Sequence, residues 1–338
     1  MNKGNFEDVG SKEMAMACRY EALASFSRKL ALMCGLLLLA ISQAWSAGVL
    51  SAPQIKQATV DGATIVYQEQ GDGAPVVFVH GCCTDYRAWE AQRQAIASHY
   101  RFIALNLRYH GTAPWSDDGS KYSVKTHVDD VAAFIHGLNA GPVDLVGWSY
   151  SGPIVLLVAL QHPELVRSLT IYEPAIGAFV TDPASLKNAG EDRRAMWGPA
   201  IAASKAGDVA AVARLVPAGV NNQPDFFDTA MPEIRSMFLD NARTLTLLLA
   251  APPSPPITCD QLRQIKIPAL ISRGEATRTL LRISTEGAAN CIPGAKLVII
   301  PGGRHLAMIQ QPEAFNMVLL QFLSKVGSQP NPGMSAGR

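Results

Sequence analysis

From about Gln57 onward, short apolar runs alternate with longer segments whose apolar residues recur at helical spacing. Residues 63–69 alternate between apolar and polar, as a half-buried strand does, and residues 75–80 are almost continuously apolar, as a fully buried strand is. Further strands are predicted over 101–107, 142–148, 168–174, 267–274 and 295–302. Because helical segments separate these strands, the pattern predicts an α/β fold with a mainly parallel sheet and helices on both faces.

The rhythm of strands is interrupted between about residues 175 and 250, where the apolar spacing is helical throughout. A Pro-rich segment, 251–259, then leads back to the next strand. We therefore expect one domain over residues 48–326 with a helical insertion over about 175–255. Residues 327–338 are rich in Gly, Pro, Ser and Asn and are expected to form a flexible tail.

An uncharged apolar run, Leu30–Ile41, stands apart near the start of the chain. Arg28 and Lys29 precede it and small residues follow it, which is the pattern of a signal peptide over residues 1–47. The run is shorter than the roughly 20 residues that a membrane span needs, so an uncleaved anchor is the lesser alternative. We expect a periplasmic or secreted protein, with the start codon and the cleavage site left open.

Composition narrows the classes of function. The 338 residues are 48% apolar and 17% charged, which excludes a disordered chain, and the net charge of +1 provides no basic field for nucleic acid. No spacing of His, Cys or acidic residues suggests a metal site, so neither a metal nor a cofactor is expected. The sequence leaves the oligomeric state open.

Ser149 lies where a strand turns directly into a helix, within Gly147-Trp148-Ser149-Tyr150-Ser151-Gly152. A sharp turn of this kind, with small residues at its flanks, exposes a serine hydroxyl as a nucleophile. The position two after the serine holds Ser151 in place of the usual glycine. We predict Ser149 as the nucleophile and Trp148 as a side chain that contacts the substrate.

His305 follows the last predicted strand, in Gly302-Gly303-Arg304-His305. A serine nucleophile needs a base that accepts its proton near neutral pH, and histidine is that base. The other six histidines are interpreted as structural, and His80 as a residue that holds the loop after strand 75–80. The backbone N–H groups of Cys82 in that loop and of Tyr150 are predicted to form an oxyanion hole.

These segments resemble the α/β-hydrolase superfamily, in its serine esterase-like form with a helical cap. The resemblance rests on FVHG (78–81), LNLRYHGTA (105–113), DLVGWSYSG (144–152), VRSLTIYEP (166–174), IPALISRGE (267–275) and IPGGRHLAMIQQPEAF (300–315). It implies an eight-stranded sheet, the insertion as a cap over the site, and the order serine before histidine. It says little about the substrate, because the fold hosts many chemistries.

The catalytic acid departs from the pattern of the family. Thr277 stands where an aspartate usually follows the penultimate strand, and a hydroxyl cannot stabilise an imidazolium. Glu173, at the end of the strand after the nucleophile helix, is the first candidate and Glu275 is the second. Neither carboxylate acting is the third alternative.

The resemblance also locates two of the six cysteines. Cys259 and Cys291 should lie at the amino-terminal edge of neighbouring strands, where a structural disulfide could join them. Cys82 and Cys83 are adjacent and are expected to be packed thiols.

The expected activity is hydrolysis of small or medium carboxylic esters through an acyl-enzyme, with a small ester as the partner molecule. A lactonase, a C–C hydrolase and a cofactor-free perhydrolase remain open within the same chemistry. A non-catalytic binding protein on the same fold is the alternative outside it, motivated by the missing aspartate.

Overall fold

The computed structural model describes residues 50–115, 117–176 and 183–328. The predicted signal peptide over 1–47 and residues 329–338 of the predicted tail lie outside this part of the chain. The last helix continues through Gly327, the first residue of that tail. No helix in these ranges is long and apolar enough to cross a membrane.

Within the described ranges, eight strands form one sheet in the order β1-β2-β4-β3-β5-β6-β7-β8. Their bounds are β1 Gln54–Val60, β2 Ala63–Gln70, β3 Pro75–Val79, β4 Arg101–Leu105, β5 Val143–Trp148, β6 Val166–Tyr172, β7 Ala269–Gly274 and β8 Lys296–Ile300. The β1–β2 and β2–β4 pairs are antiparallel, and every other pair is parallel. The predicted mainly parallel, eight-stranded sheet is confirmed.

Burial explains which strands the pattern identified. Every residue of β3 and β5 is buried, because helices cover both faces of the sheet centre. Strand β1, in contrast, is mostly exposed at the edge, and only Val60 is buried. Its polar sequence carries no apolar run, and this strand is therefore absent from the strands predicted above. The signal that could have found it is Asp61-Gly62, both at positive φ (42° and 71°), as a two-residue hairpin turn requires.

Helices cover the sheet and extend from it. Those outside the insertion are α1 Glu90–Ala97, α2 Val124–Gly137, α3 Ser151–Gln161, α9 Cys259–Leu262, α10 Thr279–Cys291, α11 Ala307–Gln310 and α12 Pro312–Gly327. Between β6 and β7 the described residues form α4 Pro183–Lys205, α5 Val209–Asn221, α6 Phe226–Thr229, α7 Pro232–Asn241 and α8 Thr244–Ala250. We call these five helices the cap.

Polar contacts hold the cap against the rest of the domain. Asp192 of α4 forms a salt bridge with Arg278 (2.7 Å) and accepts the backbone N–H of Leu280 (3.0 Å). Asn221, at the end of α5, accepts the backbone N–H of Leu306 through its Oδ1 (2.9 Å) and is buried. Because Leu306 follows His305, this contact couples the cap to the loop that carries the predicted base.

The cysteines lie as the resemblance implied. A disulfide joins Cys259, the first residue of α9, to Cys291, the last residue of α10. These helices lead into β7 and β8, so the bridge lies at the end of the strands opposite the one that carries Ser149. Cys82 and Cys83 are free and buried.

Candidate active site

Ser149 occupies a strained turn between β5 and α3. Its φ is 57°, a left-handed conformation that a residue with a side chain adopts at a cost. The turn is held because the Ser149 N–H donates to the carbonyl of Tyr172 at the end of β6 (3.1 Å). This strand–turn–helix geometry presents the hydroxyl at the carboxyl edge of the sheet.

Close backbone approach explains the small residues around the turn. A Cβ on Gly147 would lie 2.6 Å from a methyl of Val155, and one on Gly152 would lie 2.5 Å from the Cβ of Pro174. Ser151, in the usual glycine position, is buried and uses its hydroxyl. It accepts the N–H of Trp148 (2.8 Å) and donates to the carbonyl of Val79 (2.7 Å), which ties the turn to β3.

Three side chains from three loops form one hydrogen-bonded chain. Ser149 Oγ lies 2.9 Å from Nε2 of His305, and Nδ1 of His305 lies 2.7 Å from Oε2 of Glu173. Glu173 is fully buried and His305 is 2% exposed, so water does not screen their interaction. The arrangement can remove a proton from the serine and stabilise the resulting imidazolium.

Of the two predicted acids, the structure brings only Glu173 to His305. Glu173 has a φ of 46° directly after β6, and its second oxygen accepts the N–H of Gly274 (2.8 Å). Glu275 is exposed and accepts the N–H of Gly302, on the turn before His305 (2.8 Å). Thr277, where the family usually has aspartate, has a buried hydroxyl without a hydrogen-bond partner among the described residues.

The loop that carries His305 is held by two aromatic side chains. The indole N–H of Trp148 donates to the carbonyl of His305 (3.0 Å), and the Tyr172 hydroxyl donates to the carbonyl of Arg304 (2.6 Å). Burial, followed by the charge of Glu173, raises the pKa of Tyr172, so this hydroxyl stays protonated. Trp148 was expected to contact the substrate, but it is 2% exposed and does not line the cavity described below.

The two predicted oxyanion residues lie in two different segments. Tyr150 follows Ser149 at the start of α3, and Cys82 lies in the buried loop after β3. His80 holds that loop: its Nδ1 donates to the carbonyl of Gly81 (2.7 Å), and its Nε2 accepts the N–H of Leu107 (3.0 Å). Burial lowers the pKa of His80 to about 3, so it stays neutral and keeps both contacts.

A buried cluster behind Tyr150 was not foreseen as a unit. The phenol of Tyr150 contacts Nδ1 of His127 (3.0 Å), and the ring of His127 packs edge-on against Tyr122 and near His110. Burial lowers the pKa of both His110 and His127 to about 3. The cluster could not be predicted from the sequence, because residues far apart in the chain give no periodic signal.

A cavity of about 360 Å³ opens beside Ser149 and His305. Its apolar wall includes a cluster of cap and α10 side chains: Met196, Trp197, Val220, Leu280 and Leu281. Three other large apolar side chains of the cap, Phe226, Phe227 and Met237, are buried and do not line this cavity.

The model of the alpha/beta hydrolase family matches residues 76–318. A hydrolase of (E)-2-((N-methylformamido)methylene)succinate from Acinetobacter baylyi is 36% identical over 110 residues. That match covers 32% of this chain and only 40% of the relative. A 2-(acetamidomethylene)succinate hydrolase from Mesorhizobium japonicum is 25% identical over 269 residues, with 77% of this chain and 91% of the relative covered.

Among solved structures, a thermophilic esterase from Thermogutta terrifontis is similar with a TM-score of 0.59 and 22% identity. The match covers 81% of this chain and 99% of the esterase. At this identity the likeness shows a shared fold, and it says nothing of the substrate.

Proposed function

The chain belongs to the alpha/beta hydrolase family, and on that premise we propose that it is a serine hydrolase of small or medium carboxylic esters. The observation that carries the proposal is the continuous contact from Ser149 through His305 to Glu173 at 2.9 and 2.7 Å. Ser149 has the position of a nucleophile, His305 that of a base and Glu173 that of the acid which orients the base.

The reaction would follow from these contacts. Ser149 Oγ attacks the ester carbonyl while Nε2 of His305 takes its proton. The N–H groups of Cys82 and Tyr150 bind the oxyanion of the tetrahedral intermediate. His305 then protonates the leaving alcohol. A water molecule, deprotonated by the same nitrogen, attacks the acyl carbon, and the bond to Ser149 Oγ breaks as His305 returns the proton to that oxygen.

The position of Glu173 bears on the main alternative, a non-catalytic binding protein. A non-catalytic binding protein was considered because Thr277 replaces the usual aspartate. The contact of Glu173 with His305 (2.7 Å) supports catalysis without that aspartate. Hydrolysis of a lactone needs the same three side chains. Hydrolysis of a C–C bond also needs a proton for the departing carbon, and perhydrolysis needs hydrogen peroxide in place of water.

The test is a panel of p-nitrophenyl esters of increasing acyl length, assayed with the wild type and Ser149→Ala. We expect hydrolysis of short and medium acyl esters and its loss, by roughly 10⁶-fold in kcat, in the variant. Because two relatives are named for succinate derivatives, the panel should include esters with a free carboxylate. Equal rates for wild type and variant would contradict the proposed nucleophile.

We also propose that the protein is exported. The Cys259–Cys291 disulfide supports this, because disulfides persist in oxidising compartments. Amino-terminal sequencing of periplasmic or secreted protein should give a chain that begins after the apolar run 30–41. An intact amino terminus before that run would contradict cleavage.

A further inference from the structure

We propose that Arg193 of the cap binds a free carboxylate of the substrate, so that the hydrolase acts preferentially on acidic esters. This inference rests on the proposed function and names the substrate class for that site. Arg193 lies on α4 and lines the same cavity as Ser149 and His305.

The charge of Arg193 distinguishes it from the other side chains that line the cavity. The described lining of this cavity is mostly apolar, and Arg193 is its one permanently charged side chain. An arginine stays protonated at any physiological pH and presents a planar fork of N–H donors that matches a carboxylate. Because Arg193 is exposed, water partly screens this charge, and the paired donors of the guanidinium contribute to carboxylate binding together with the charge.

Other charged side chains near Arg193 already have partners. Asp192, the neighbour of Arg193 in sequence, is used by Arg278 and by the N–H of Leu280. Arg304 donates to backbone carbonyls at the end of α5. Within the part of the chain that the structure describes, no acceptor or acidic group pairs with Arg193, so its donors are available to a ligand.

The volume of the cavity limits the size of the substrate. A cavity of about 360 Å³ falls at the lower end of the range for small-molecule sites. An ester bound with its carbonyl at Ser149 would have to fit its chain inside this volume. A short substrate with a second carboxyl group fits both the small volume and the one cation in the wall.

The test compares pairs of esters that differ by one carboxylate. Ethyl butyrate and monoethyl succinate have acyl chains of equal length, and ethyl butyrate against carboxymethyl butyrate places the charge on the alcohol side. Release of acid is followed in a pH-stat. We expect the wild type to prefer one acidic ester over its neutral partner by about tenfold or more in kcat/KM, and Arg193→Gln to abolish that preference.

Arg194→Gln is the matched control, because it removes the same charge from the next residue of α4, which does not line the cavity. It should leave the preference unchanged. The preference for the acidic ester should also weaken as the ionic strength rises, because the side chain of Arg193 is exposed to solvent.

A binding measurement separates this inference from the proposed function. Calorimetric titration of succinate into Ser149→Ala, and into the Ser149→Ala/Arg193→Gln double variant, needs no catalysis. We expect the dissociation constant to rise about tenfold in the double variant. Equal affinities, or a wild type that hydrolyses neutral and acidic esters equally, would overturn the role of Arg193. Failure of the wild type to hydrolyse any ester, with succinate still bound through Arg193, would overturn the proposed ester hydrolysis alone.

Discussion

Replacing Glu173 with glutamine removes one charge at the centre of the proposed triad and changes little else in volume. The Gly274 N–H donates to Oε1 of Glu173 (2.8 Å), and it would retain the amide oxygen of the glutamine in that position. The amide NH₂ group would then face Nδ1 of His305, where Oε2 now accepts at 2.7 Å. His305 would have to accept at Nδ1 and carry its proton on Nε2, which faces Ser149 and could no longer take the serine proton.

The size of the effect follows from the buried contact. Two unit charges about 4 Å apart attract by about 4 kcal/mol at an effective dielectric constant of about 20. Loss of that stabilisation of the imidazolium corresponds to about three powers of ten in rate. Because the wrong tautomer adds to this cost, we expect kcat to fall by about 10³- to 10⁴-fold, as it does for the acid of the serine protease triad.

The assay is hydrolysis of the best p-nitrophenyl ester, with circular dichroism to show that Glu173→Gln is folded. Glu275→Gln is the matched control: its carboxylate is exposed and contacts Gly302, so kcat should stay within about threefold of the wild type. Glu173 is not the catalytic acid if Glu173→Gln retains more than a tenth of the activity, or if Glu275→Gln loses as much as Glu173→Gln.

Three further predictions concern stability. Ser151→Ala leaves the Trp148 N–H and the Val79 carbonyl buried without this hydrogen-bond partner. The free energy of unfolding, measured in urea, should therefore fall by about 1–3 kcal/mol. The control Ser98→Ala removes an exposed hydroxyl and should leave the free energy of unfolding unchanged. Replacing both Cys259 and Cys291 with serine should lower the free energy of unfolding by about 2–4 kcal/mol and leave kcat/KM unchanged. A large loss of activity would contradict a purely structural disulfide. Burial lowers the pKa of His127 from 6.5 to about 3, so between these values the unfolded chain binds a proton that the folded protein does not. The free energy of unfolding should therefore fall as the pH falls below 6.5. In urea unfolding at pH 4–6, His127→Gln should reduce the dependence of this free energy on pH by up to about 1.4 kcal/mol per pH unit. An unchanged dependence would show that His127 does not cause it.

The strands that could be predicted are those whose burial requires a continuous run of apolar residues. Strands β3 and β5 are covered on both faces, and their continuous apolar runs identified them. Strand β1 is exposed along most of its length, so nothing in its composition required it to be a strand. Only its hairpin turn at Asp61-Gly62 carried a local signal.

The candidate site could be predicted in part for a similar reason. The turn at Ser149 and the loop at His305 have local signatures, so each could be identified from its own segment. The choice between Glu173 and Glu275 depended on which carboxylate reaches His305, and that distance is set by β6 and β7 together. The position of Arg193 depends on how α4 packs, which no local pattern in the cap determines.

Labelling by a fluorophosphonate, followed by mass spectrometry of the modified peptide, tests whether Ser149 is an activated nucleophile. We predict that the wild type is phosphonylated once, on Ser149, and that Ser149→Ala is not labelled. Labelling should also be much slower in Glu173→Gln, because the same base activates the serine. A folded wild type that does not react, or a label on another residue, would contradict the assignment of Ser149 as a nucleophile activated by His305 and Glu173.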